Sequence, residues 1–169
     1  MIARTYVEAN LKSLNYLFGQ AKTPKHTLYY SKLALLELCG WIEESMDDVV
    51  LRCAKRCLTQ PANIKYTTDQ IIKRTYGFDY DLNFRGMLIR LLGIIVVERI
   101  EATVDPIKQA RLRATLTSLK RARDAEAHTH LKGVTRTINA PSVTLSHFRD
   151  AYDGLIEYER VIRQLNIRI

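Results

Sequence analysis

The chain has 169 residues, enough for one domain with a sizeable core and too few for two comfortable ones. Hydrophobic residues make up 47% and charged residues 26%, which excludes a disordered chain, and 7 Gly with 4 Pro are too few for the turns of an all-β protein. Lys and Arg number 26 against 18 Asp and Glu, a formal net charge of +8 that points to anionic partners. The longest apolar run, Met87 to Val97, is interrupted by Arg90 and is too short for a membrane span. The first residues, Met1 to Thr5, lack an apolar signal region, and Cys39, Cys53 and Cys57 form no CxxC pair. A reducing cytoplasm is the expected location, with secretion and membrane insertion excluded.

In chain order, the apolar spacing is helical nearly throughout. Tyr6, Leu11, Leu14, Leu17 and Phe18 mark one face of a first helix, and Lys22 to Lys25 reads as a connection because Pro24 disfavours helix before it. A long second helix is predicted from about Leu28 to Leu58, stopping ahead of Pro61. Thr68, Ile71 and Ile72 suggest a short helix ending at Gly77. The next is predicted from about Leu82 to Val104, with Leu88, Leu91, Leu92, Ile95, Val96 and Ile100 at core spacing. Asp105-Pro106 is a strong helix start, a capping carboxylate followed by proline at the first helical position. That helix should run to about Leu131 and end at Gly133, with a loop from Val134 to Pro141. Thr144 is the expected cap of a final helix carrying Phe148, Tyr152, Leu155, Ile156, Tyr158, Ile162 and Leu165. Four or five long helices with short connections predict an all-α, up-and-down bundle forming one domain over residues 1–169.

The positive charge is concentrated. From Pro106 to Arg136 there are eight Lys and Arg against Asp124 and Glu126, a net of +6. Such a segment is either a solvated helix face or an electrostatic footprint for phosphate. Within it lies Lys120-Arg121-Ala122-Arg123-Asp124-Ala125-Glu126-Ala127-His128. Arginine holds phosphate oxygens with a planar fork, and histidine titrates near neutrality, so the pair suits phosphodiester chemistry.

Arg123-Asp124-x-x-x-His128 resembles the signature of the HEPN superfamily: Arg, a polar residue, three residues, then His. The resemblance extends to Ala127 through Gly133, the Ala140-Pro141-Ser142 loop and the closing helix with Phe148 and Tyr152, which look like the HEPN subset associated with RiboL-PSP. Less specifically, Cys39-Gly40-Trp41-Ile42-Glu43 also fits. It implies a helical bundle and a metal-independent, cofactor-free endoribonuclease, a toxin held by an antitoxin or an effector of anti-phage defence. His128 would take the 2′-OH proton of RNA and Arg123 would stabilise the charge on phosphorus, leaving a 2′,3′-cyclic phosphate and a 5′-OH. Consistently, no HExxH or paired Cys–His spacing offers a metal site. Some HEPN toxins carry a modified Tyr two residues after the motif His; here that position is His130, which departs from the pattern.

Helix arithmetic separates Arg123 from His128 by about 140°, puts Arg123 with His130 on the Leu112, Leu116 and Leu119 stripe, and places Asp124 one turn before His128, where it can orient the imidazole. HEPN ribonucleases usually solve this separation by pairing protomers, so a homodimer with a composite active site near the Pro106–Leu131 helix is expected. His130 is either an accessory acid or phosphate ligand or a polar residue at the helix end. Glu43, in the acidic run with Glu44, Asp47 and Asp48, belongs to a solvated face, pairs with the basic helix, or faces the site. Lys120, Arg121 and Lys132 are the expected RNA-backbone contacts, and Tyr29 and Tyr30 are candidates for base stacking. Cys53 and Cys57 read as buried thiols. The competing function is a non-catalytic HEPN module that binds RNA or nucleotide and scaffolds a partner. A basic DNA- or RNA-binding regulator is disfavoured because no helix-turn-helix is visible.

Overall fold

The computed structural model describes residues 2–127 and 138–165. Those residues form seven α-helices and no strand: α1 (Thr5–Gly19), α2 (Pro24–Cys57), α3 (Pro61–Tyr66), α4 (Gly86–Leu92), α5 (Ile94–Thr103), α6 (Pro106–Ala127) and α7 (Pro141–Gln164). The four long helices build an all-α bundle. Asn10 on α1 bonds Glu37, and Trp41 reaches back to the Ala3 carbonyl, so α1 and α2 are antiparallel. Along α6 and α7, Lys108 meets Glu157 while Leu112 lies against Gly154, so these two are also antiparallel. Trp41 packs on Phe148 and Arg52 reaches Glu159, making α2 and α7 parallel. Helices α2 and α7 form the shared centre, each packed on the other and on both α1 and α6. The short α3, α4 and α5 bridge from α2 to α6.

Several boundaries differ from the sequence expectation for local reasons. Pro24 begins α2 rather than sitting in a connection: it occupies the first turn, where its missing N–H is harmless, and the Thr23 hydroxyl accepts from the His26 N–H at 3.3 Å. Pro61 likewise starts α3, which continues into the π-helical turn Thr67–Ile72, so the helix expected near Thr68 starts earlier. The helix expected over 82–104 is three pieces: a π-turn Tyr80–Arg85, α4, and α5 beyond Gly93, whose φ of 81° ends the α4 ladder. The break redirects α5, so Ile95 is exposed and Val97 enters the core instead. Pro141, not Thr144, opens α7, and Thr144 is buried in its first turn. On α1 the core face is Val7, Leu11 and Leu14, while Tyr6 and Leu17 are exposed. The expected end of α6 near Leu131 and Gly133, and most of the following loop, lie outside the described residues.

Candidate functional site

The position of Arg123 is set at the opposite end of its helix. The Asp105 carboxylate accepts from the Ile107 and Lys108 N–H groups at 2.8 and 3.1 Å, capping α6. Leu112, Leu116 and Leu119 are then fully buried, each contributing roughly 1.5–3 kcal/mol of transfer free energy. Four residues beyond Leu119, one helical turn, the side chain of Arg123 emerges on the same face, toward α2. There its Nη1 donates to the Glu43 carboxylate at 2.8 Å, and the guanidinium lies 5.6 Å from the centre of the buried Phe78 ring. Both side chains remain partly open, Arg123 at 42% and Glu43 at 34%. The structure thus brings Glu43 to Arg123 across 80 residues of sequence.

The other sequence candidates divide. Asp124 and Arg121 are exposed on α6. Lys120 is ion-paired with Asp79 at 3.2 Å. His128, His130 and Lys132 lie outside the described residues. Tyr29 is exposed and Tyr30 partly buried against the core. Cys53 is buried but Cys57 is exposed, so only one of that pair fits the expected buried thiols.

On α6 itself, within the described residues, most of the positive charge is compensated. Of the six Lys and Arg on α6, four meet carboxylates from elsewhere in the chain: Lys108 with Glu157, Arg113 with Asp81, Lys120 with Asp79, and Arg123 with Glu43. Asp79 is held below its ordinary carboxylate range by the Leu82 N–H and by Lys120, so it stays charged opposite that lysine. Arg111 and Arg121 are the exposed arginines of the helix.

Around the Arg123–Glu43 pair the electrostatics are uneven. Asp47, one turn along α2 from Glu43, is pushed up to about 6 by burial and by Glu43 and Glu44. Cys39, one turn the other way, is pushed up to about 12 by burial, against the pull of Arg123, so it carries a thiol and not a nucleophilic thiolate. No group of three or more His, Cys, Asp or Glu among the described residues is disposed to hold a metal ion. None of their helices is long and apolar enough to cross a membrane.

Sequence reasoning missed a buried polar cluster near the start of α6, at the far end of that helix from Arg123. Tyr80 donates to Glu101 at 2.7 Å, Gln109 donates to the Tyr158 hydroxyl at 2.8 Å, and the two tyrosine hydroxyls share a hydrogen bond. Burial raises both tyrosines, so they remain protonated and act as a neutral clamp. Arg113 stacks over the Tyr80 ring at 4.4 Å. The cluster joins the π-turn, α5, α6 and α7, and no local pattern in the chain announces it. Comparison with family models, with curated proteins and with solved structures finds no match.

Proposed function

We propose that the protein is a metal-independent endoribonuclease of the HEPN type, a toxin or anti-phage effector that works as a homodimer beside a controlling partner protein. The observation that carries this reading is the placement of Arg123. It is fixed by the α6 stripe, tethered to Glu43, and still open to solvent five residues before His128. A guanidinium has five N–H donors, so a carboxylate tether orients the fork and leaves donors for a phosphate.

The chemistry follows from the two side chains. His128 accepts the proton of a ribose 2′-OH as that oxygen attacks the adjacent phosphorus. The bond to the 5′-oxygen breaks, and that oxygen takes up a proton, giving a 2′,3′-cyclic phosphate and a 5′-OH. Arg123 stabilises the charge that builds on the phosphoryl oxygens. Asp124 orients the imidazole, Arg121 and Lys132 contact the backbone, and His130 is the accessory acid.

The deciding experiment is incubation with tRNA and total RNA in EDTA, with cyclic-phosphate ends assayed. Wild type is expected to cleave, and Arg123→Ala and His128→Ala to lose at least about 100-fold of the rate with helical content retained. Full activity in either variant, or a strict metal requirement in the chemical step, overturns the reading. A second reading, a non-catalytic module that binds RNA or nucleotide and scaffolds a partner, draws on the Arg123–Glu43 pair, which neutralises the guanidinium. RNA binding without cleavage by wild type supports that one.

A further inference from the structure

Helices α2 and α7 run parallel, so their C-terminal turns come to lie on the same side of the bundle. The chain leading into α1 meets this pair at Ile2, whose N–H donates to Glu159 at 3.3 Å. Beside Glu159 a recess of about 350 Å³ opens between the two helices. Its apolar lining is Val49, Cys53 and Ile162, all buried. Burial pushes the Cys53 thiol up to about 12, so this lining carries no negative charge. The rest is cationic: Arg52, Lys55 and Arg56 from α2, and Arg163 from α7.

Glu159 organises these cations. Its side chain is only 8% exposed, and it pairs with the Arg52 Nε at 3.5 Å and with the Arg163 guanidinium. One buried acid thus holds an arginine from each helix in place. Arg52 also meets Asp48. Lys55 and Arg56 are exposed and meet no carboxylate among the described residues. Lys55, Arg56 and Arg163 stand in the last turns of their helices, where cations complement the macrodipole. That preference accounts for each cation on its own helix. It does not account for the apolar recess that they share.

We propose that this recess binds a small phosphate monoester carrying an apolar ring or chain. The body lies on Val49, Cys53 and Ile162, and the phosphate is met by Lys55, Arg56 and Arg163. Charge selects the head group. The four cations exceed the two carboxylates that they meet by two, and a phosphate monoester carries about −1.5 to −2 at neutral pH. A carboxylate, or one phosphodiester of a nucleic-acid backbone, brings a single charge. Size selects the body. Small-molecule sites span about 300–1,000 Å³, and the recess lies at the low end of that range, where one ring fills it. No residue of α6 lines it, so the site is separate from Arg123 and stands whether or not the protein cleaves RNA.

Isothermal titration of the full chain with phenyl phosphate at physiological salt tests it. Wild type is expected to bind with a submillimolar Kd. Inorganic phosphate, which lacks the body, and benzoate, which lacks the second charge, should each bind at least about 10-fold more weakly. Lys55→Gln combined with Arg56→Gln should cost at least about 10-fold, with helical content retained because both side chains are exposed. Lys22→Gln combined with Lys65→Gln removes the same charge from exposed positions elsewhere and should leave binding unchanged. In wild type, the amide resonances of Val49, Cys53 and Ile162 should shift during the titration. No binding at millimolar phenyl phosphate, equal losses in the two double variants, shifts confined to other residues, or equal affinity for inorganic phosphate or benzoate overturns the proposal. So does equal affinity for a trideoxynucleotide without terminal phosphates, which would assign the recess to a nucleic-acid backbone.

Discussion

Arg123 owes its orientation to two residues, one on its own helix and one far away in the chain. Leu119 fixes its azimuth and Glu43 anchors its fork. Glu43→Gln keeps an acceptor but removes the charge. Stability is expected to change by no more than about 1 kcal/mol, as for other partly exposed ion pairs. For the proposed ribonuclease, kcat should fall about 10-fold with KM nearly unchanged, because a loosened guanidinium is lost from the transition state more than from binding. Equal loss in kcat and stability would assign Glu43 a purely structural role. Asp47 gives a pH signature at the same scale. Its folded pKa of about 6 lies above the ordinary value of 3.8, so the fold favours the protonated acid and stability declines as pH rises through that window. Asp47→Asn should raise stability at pH 7 by about 1 kcal/mol after allowance for solvent screening, with no gain at pH 3.5. Urea denaturation at the two pH values measures it. The motif at Arg123 was legible from spacing alone. Its pairing with Glu43 was one of three readings of an acidic run, and only contact across 80 residues selects among them.

Among the elements, the approach of α6 and α7 is set by a missing side chain. A Cβ on Gly154 would sit 2.6 Å from the Leu112 Cβ, so the helices touch at a distance only glycine permits. Alanine is favoured over glycine within a helix by about 1 kcal/mol. Gly154→Ala should nevertheless destabilise by roughly 1–3 kcal/mol, since the clash forces α6 and α7 apart. A lower midpoint in chemical denaturation checks this, and a higher one would mean the interface gives way freely. The shift would pass to Arg123, which rides on α6. Gly93 acts differently: its φ of 81° separates α4 from α5, although no heavy atom crowds it. The helix expected over 82–104 was continuous because apolar periodicity carries no information about a single left-handed residue. Caps were more readable. Asp105-Pro106 starts α6 as its residue types require, and Pro24 and Pro61 start helices by the same chemistry.

Over the whole molecule, charge is redistributed by folding. Lys120 and Arg121 are neighbours in the chain, yet Lys120 faces Asp79 and Arg121 is exposed on the helix. Arg121→Gln is therefore expected to weaken RNA binding more than Lys120→Gln, and to reduce its salt dependence by about one phosphate contact. Affinity titrations at several salt concentrations distinguish the two, and equal effects would show that Asp79 does not restrain Lys120. Acid stability reports the same compensation. The Glu157 carboxylate is held at about 2 by Arg160, with the Asp105 N–H and Lys108 assisting. A lowered folded pKa stabilises the fold above the ordinary value of 4.5, and that contribution disappears as pH falls from there toward 2. Glu157→Gln should flatten this acid limb of thermal stability by an amount of order 1 kcal/mol, because the Arg160 partner is itself partly exposed.

Helicity, the order of the long elements, the capping of α6 and the inward stripe of Leu112, Leu116 and Leu119 follow from the sequence by itself. Each depends on residues within a turn or two of one another, and a period of 3.6 expresses that reach directly. The same arithmetic put Arg123 on the inward face. What only the tertiary structure decided is what each charged or exposed group meets. Glu43 at Arg123, Asp79 at Lys120 and Glu157 at Lys108 are long-range pairs. That Tyr29, Leu33 and Leu36 of α2 stay exposed is likewise visible only in the packed structure. Such contacts depend on how helices far apart in the chain pack together, and no local periodicity encodes that.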